Sequence, residues 1–229
     1  MKEIIIPLCC TKKNYLMIKR NLICFDIDGV LLDEEYWFSK RWENTFSKFD
    51  ISQNCIKEFW IIFKNKGFTY KKHLDELSIN HPSIIKYKKE IIKTFKETKI
   101  QEKKIGNIVE LLDCCSKNNY LSIISNGNYS VQYDRLKRSG ILDYFDLIIC
   151  DEIFKKPSSV SYEMTKFYYN TQELFYVGNE YESDFIGAKA VNFKTIFYNV
   201  ENQKYSKNLV DFSISNLLDI KNIINLQNV

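Results

Sequence analysis

Asp26 and Asp28 stand two apart at the end of an apolar run, Leu22-Ile23-Cys24-Phe25, with Gly29 directly after them. Side chains two apart on an extended chain share a side, so both carboxylates are expected together just beyond a strand end. The run lacks polar alternation, the pattern of a strand buried on both faces inside a helix-covered parallel sheet. Open α/β folds bind ligands at the carboxyl edge of such a sheet, so paired acids there make a candidate site. Gly29 lets the chain turn away. An ordinary polar turn uses the same residue types, and this stretch alone leaves both readings open.

Further strand ends must position the partners of these acids. From Tyr36 to Lys104 the spacing predicts helix: Trp42, Phe46 and Phe49 form one stripe, and Ile56, Trp60 and Phe63 another. Gly67 is expected to end a helix, and Asn80-His81-Pro82 to interrupt the pattern. After Ile105 strands and helices alternate, with strands expected at 120–124, 147–150, 174–177, 195–198 and 211–214. Helices are expected at 107–115, 130–138, 159–169, 184–191 and 217–224. This alternation predicts an α/β fold with a parallel, doubly wound sheet, and a helical bundle inserted after the first strand. On such a sheet Asp26, Asp28, Ser125, Asn126, Asn179 and Asp184 converge on one edge, with Lys156-Pro157 in reach from a neighbouring loop. Four of the seven glycines, Gly29, Gly127, Gly178 and Gly187, fall at these places. Residues 1–20 read as an extra edge strand or an arm.

With 229 residues and 45% hydrophobic content, the chain can bury a sizeable core. A net charge of +4, from 33 basic and 29 acidic residues, is too weak and too dispersed to argue for nucleic acid. No stretch approaches a transmembrane helix, and the apolar run Ile4 to Cys10 is broken by Pro7 and lacks a cleavage site, so no membrane partner or export signal is expected. Seven cysteines without framework spacing read as reduced thiols of a cytoplasmic protein.

Four stretches, in order, resemble the motifs of the haloacid dehalogenase-like hydrolases, most of which are phosphatases: Phe25-Asp26-Ile27-Asp28-Gly29-Val30, Ile124-Ser125-Asn126-Gly127, Lys156-Pro157, and Gly178-Asn179 through Asp184-Phe185-Ile186-Gly187-Ala188. The resemblance spans residues 21–215. It implies a three-layer Rossmann-like parallel sheet core, residues 21–34 and 105–229, with an inserted α-helical cap domain, residues 35–104. It also implies Mg2+, held by Asp26, the Asp28 backbone carbonyl, Asn179 and Asp184. Elementary electrostatics agrees, since a carboxylate facing a phosphate dianion at ~4 Å is repelled by roughly 8 kcal/mol at an effective dielectric of ~20.

In the roles so implied, Asp26 attacks phosphorus to give an aspartyl phosphate, and Asp28 protonates the leaving oxygen and then activates water. Ser125 and the Asn126 N–H bind phosphoryl oxygens, and Lys156 supplies positive charge. The fourth motif usually begins Gly-Asp, whereas here Asn179 brings an oxygen without charge. Lys155 precedes Lys156, which is preferred because it abuts the proline. Lys86, Lys88, Lys89, Lys93 and Lys96 read as a solvated helix face, and the aromatic stripes as core packing. His73 and His81 are expected at the surface, and Glu34 and Glu35 receive no chemistry. The expected activity is a Mg-dependent phosphatase for a small phosphorylated metabolite, in a monomer or weak homodimer. The alternatives are a sugar-phosphate phosphomutase, and a non-catalytic binding protein that kept the fold.

Overall fold

The computed structural model describes residues 21–226 except 50, 53, 67–69, 151–152, 170 and 172, so the readings of residues 1–20 and of Gly67 lie outside the described residues. In chain order, β1 (Asn21–Phe25) is followed by α1 (Glu34–Phe46), α2 (Asn54–Lys66), α3 (Tyr70–Asn80) and α4 (Ser83–Glu97). Then come α5 (Ile108–Cys115), β2 (Asn119–Ser125), α6 (Tyr129–Ser139), β3 (Leu147–Cys150), α7 (Val160–Tyr168) and β4 (Glu173–Gly178). The chain continues through α8 (Tyr181–Ala190), β5 (Lys194–Tyr198), β6 (Phe212–Ile214) and α9 (Ile220–Leu226).

The strands form one six-stranded sheet in the order β3-β2-β1-β4-β5-β6. Every pairing is parallel, with Phe25 opposite both Ile123 and Val177. β1 is central and buried at every position, as its unbroken apolar run predicts. Alternate residues serve opposite faces. Ile23 and Phe25 join α5, α6 and α9 in one core, and Leu22 and Cys24 join α7 and α8 in the other. The order reverses between β1 and β4, so the crevice there is the switch point at which doubly wound sheets bind ligands.

Helices α1–α4 pack in a third cluster around Trp42, Phe46, Phe59 and Phe95, so their aromatic stripes are core. Asp33 opens α1 by accepting the Tyr36 N–H at 2.9 Å. Two expectations fail in this part of the chain. Helix does not run on to Lys104: α4 stops at Glu97, and Thr98, Ile100 and Glu102 are buried at alternate positions, the period of extended chain. This segment returns beside the outgoing one, with Asp33 N–H donating to Lys103 O at 2.8 Å and Ile105 N–H to Leu31 O at 3.1 Å. His73 is not at the surface but 3% exposed, because α3 turns that face toward its neighbours. His81 is half-buried against Glu58 at 3.0 Å. Elsewhere, α8 starts three residues before its expected position, and the last helix begins as a 3-10 turn at Leu217–Asp219. None of the helices among the described residues is long and apolar enough to cross a membrane.

Trp42 carries the packing of the inserted helices, stacked on Phe95 with centroids 4.0 Å apart and edge-on to Phe59 at 4.7 Å. Trp42→Ala is expected to lower unfolding stability by about 3–5 kcal/mol, read as a shift in urea midpoint.

Candidate active site

β1 delivers Asp26 to the switch point, where its backbone N–H still donates to Val177 O at 2.9 Å. Its carboxylate continues the face of Leu22 and Cys24, and Lys156 Nζ meets Oδ1 at 2.8 Å. The same ammonium lies 2.7 Å from Asp184 Oδ1 and donates to the Tyr176 hydroxyl at 2.9 Å. Asn126 fixes the loop that carries this lysine: its Oδ1 accepts the Lys156 N–H at 2.6 Å, and its Nδ2 donates to Lys156 O at 3.3 Å. Ser125 ends β2 at the same edge, with its Oγ accepting the Gly127 N–H at 3.3 Å.

The two aspartates do not stay on one side, because regular strand ends at Phe25 and the chain curls at once, with Leu31 and Leu32 N–H groups both donating to Ile27 O. Asp26 therefore faces a lysine from the loop before α7. Asp28 turns to α6, where Arg135 Nη1 lies 2.7 Å from its Oδ1 and Gln132 Nε2 donates to its Oδ2 at 3.2 Å.

Asp184 is fully buried and has both oxygens occupied. Oδ1 takes Lys156 and the Tyr176 hydroxyl, the latter at 3.0 Å, and Oδ2 takes the Asn179 and Glu180 N–H groups at 2.9 and 2.8 Å. Asp184 thereby braces Lys156 and the turn after β4. Asn179 is the better-placed donor. Its Oδ1 is buried without a hydrogen-bond partner among the described residues, and its side chain packs on the Asp28-Gly29 turn. Gly29 has φ +77°, and a Cβ there would lie 2.2 Å from Asn179 Nδ2, so only glycine lets the two approach. Among the described residues no cluster of three or more His, Cys, Asp or Glu forms a metal site. A cation here would rely on one carboxylate, an amide oxygen and a backbone carbonyl, oxygen donors of the kind Mg2+ takes.

Burial pushes the Asp26 carboxyl up, to about 8, against the pull of Lys156, with Asp184 and Asp28 adding to the rise. Burial pulls the Lys156 ammonium down, but Asp184 and Asp26 outweigh it and raise its pKa, so it stays charged. Two buried carboxylates thus share one ammonium, which leaves the cluster short of positive charge.

A family model of the haloacid dehalogenase-like hydrolases matches residues 23–198, a span that includes Asp26, Asp28, Ser125, Lys156, Asn179 and Asp184. The chain belongs to the haloacid dehalogenase-like hydrolases. Glyceraldehyde 3-phosphate phosphatase of Methanocaldococcus jannaschii is 27% identical over 224 residues, covering 88% of this chain and 96% of that one. Ribulose-1,5-bisphosphate 5-phosphatase of Halopiger xanaduensis is 30% identical over 82 residues, 34% of each chain. Among solved structures, the magnesium-bound HAD hydrolase YfnB of Bacillus subtilis superposes with a TM-score of 0.68 at 16% identity, covering 90% of this chain and 99% of that one. A HAD phosphatase of Thermococcus onnurineus does so with 0.61 at 20%, covering 89% and 97%. These structural likenesses bear on the fold, which is the expected Rossmann-like α/β core.

Several residues of the hydrolase site carry no signal in the sequence. Tyr176 reads as one more apolar position of β4, and Gln132 and Arg135 as ordinary polar residues of α6. Glu34, assigned no chemistry, is half-buried at the start of α1, 3.6 Å from Lys64. Burial and then Asp28 push its carboxyl up to about 7.

Lys156→Met removes the ammonium from between two buried acids, so stability at neutral pH is expected to fall by about 3–5 kcal/mol. The Asp26 carboxyl then holds its proton still more tightly in the folded than in the unfolded chain. The deficit is therefore expected to shrink as pH falls from about 8, the level to which Asp26 is already raised, toward the ordinary carboxyl range near ~4. Urea unfolding across that interval checks it.

Proposed function

We propose that this hydrolase is a Mg-dependent phosphatase that cleaves a small phosphorylated metabolite, with sugar phosphates the favoured class. The observation that carries the reading is the Asp26 carboxylate held by Lys156 at the switch point, with Ser125 ending β2 at the same edge and Gln132 bridging it to Asp28. The two curated relatives, named as phosphatases of phosphorylated sugars, support the substrate class.

In this reading Asp26 attacks phosphorus, and the bond to the leaving oxygen breaks as an aspartyl phosphate forms. Lys156 stays protonated and offsets charge on the nucleophile and on the phosphoryl oxygens. The Ser125 hydroxyl and the Asn126 N–H hold those oxygens in place. Asp28 gives its proton to the leaving oxygen, and then takes one from the water that opens the aspartyl phosphate. Asp26, the Asp28 carbonyl and Asn179 would hold Mg2+, and the unpartnered Asn179 Oδ1 supports that fit. When bound, the ion supplies the positive charge that the Asp26, Asp184 and Lys156 cluster lacks. Helices α1–α4 serve as a cap, crossing to the core at Asp33 and at Lys103 beside the site, and exclude bulk water during transfer. Free thiols at Cys24, Cys55, Cys114 and Cys115 support a cytoplasmic setting.

Purified protein is expected to hydrolyse an aryl phosphate and members of a sugar phosphate panel with Mg2+, to stop with chelator, and to lose at least ~10³-fold in kcat as Asp26→Asn. Inert wild-type protein across the panel would sink the reading in favour of a non-catalytic one. Asn179→Asp adds an anionic ligand and is expected to tighten Mg2+ binding by ~10-fold or more, measured by calorimetry.

A further inference from the structure

Arg135 is 2% exposed and draws together three distant parts of the chain. Its Nη1 lies 2.7 Å from Asp28 Oδ1 and 3.0 Å from Gln132 Oε1. Its Nε donates to Glu102 Oε2 at 3.2 Å, and its guanidinium carbon lies 4.7 Å from the centre of the Trp37 ring. Glu102 is also buried, and its Oε1 takes Arg138 Nη2 at 2.8 Å. Trp37 sits in the first turns of α1 and Glu102 on the returning extended segment. These are the two places where the inserted helices leave and rejoin the core.

On the catalytic side, Gln132 completes a bracket. The Nε2 that donates to Asp28 Oδ2 also lies 3.3 Å from Ser125 Oγ. Three residues apart, Gln132 and Arg135 occupy one face of α6. A Cβ at Gly127 would lie 2.3 Å from Gln132 Nε2, so a glycine in the second motif makes room for this amide. Burying an arginine and a glutamate costs more than apolar packing of similar volume, and packing alone does not account for the pair.

We propose that Arg135 is a positioning residue: it fixes the Asp28 carboxyl beside Ser125 and conveys to it the seating of α1–α4, through Trp37 and Glu102. This rests on the phosphatase reading. Asp28 hands its proton to the leaving oxygen as the bond to phosphorus breaks, and recovers one from the attacking water. Both transfers need the carboxyl within hydrogen-bond reach of oxygens it does not bind permanently. A displacement of ~1 Å costs on the order of 10²-fold in such a step. Arg135 sets that distance only while Glu102 and Trp37 hold the guanidinium still.

The test compares two esters with the full chain and Mg2+: p-nitrophenyl phosphate, whose phenolate leaves without a proton, and the alkyl phosphate turned over fastest in a sugar phosphate panel. Arg135→Gln is expected to lower kcat on the alkyl ester ~30–100-fold and on the aryl ester ~3-fold, with KM nearly constant. Glu102→Gln, which touches no reacting group, is expected to show the same selectivity at ~5–10-fold. Should Arg135→Gln fail to fold, Glu102→Gln and Trp37→Phe decide by the same selectivity. Equal losses on both esters, or none, would overturn the positioning role and leave the phosphatase reading standing. Wild-type protein inert toward both esters would overturn the phosphatase reading, and this proposal with it.

Discussion

The ammonium of Lys156 lies between the carboxylates of Asp26 and Asp184, closed off from water, and most of the surrounding structure can be understood as what makes that arrangement tolerable. A buried charge is costly unless it is paired and its remaining hydrogen-bonding capacity is met. Here Tyr176 meets the lysine and Asp184 together, two backbone N–H groups meet the far oxygen of Asp184, and Asn126 pins the lysine's own backbone. These supporting groups come from the turn after β2, from β4 and from the turn after β4, so the cluster exists only when β1, β2 and β4 are assembled side by side. The one unmet need is electrostatic. Burial, and after it the neighbouring carboxylates against one ammonium, leave Asp26 raised, the condition in which a bound cation contributes most.

Sheet order explains where this happens. β1 lies between β2 and β4, and the chain winds outward to β3 before crossing to β4. Backbone donors and acceptors at the carboxyl ends of β1, β2 and β4 therefore open into a common crevice. The chain leaves the core at Asp33, just past the buried Val30, Leu31 and Leu32, and comes back within hydrogen-bond distance of that exit at Lys103. The buried Arg135 and Glu102 link the returning segment to the turn that bears Asp28.

At Asn179 the chain carries an amide where the resemblance of the fourth motif implies an aspartate. The amide keeps the oxygen but gives up the charge, in a cluster already short of cations rather than anions. With a carboxylate in its place, Asp26 would face another like charge across the Gly29 turn. An amide there thus spares Asp26 a like charge, and would offer a divalent ion an oxygen without charge.

The sequence by itself determined the α/β alternation, the central buried β1, and the convergence of Asp26, Asp28, Ser125, Lys156, Asn179 and Asp184. Each of these follows from local pattern: an unbroken apolar run, a polar residue at its end, and parallel strands that bring their ends to one edge. Tertiary structure alone decided which way each side chain was committed. Curling of the chain past Phe25 sent Asp28 to α6, and close approach of α8 spent both oxygens of Asp184 on Lys156 and the backbone. Residues 98–104 carried strand-like alternation but stood at the end of a long helical text, and only pairing with the outgoing chain made them extended. Arg135, Gln132 and Tyr176 have no local signature, because a polar residue on a helix or a tyrosine in a strand is usually solvated or packed. Their place depends on which distant groups arrive beside them, and periodicity along the chain holds no record of contacts across a sheet.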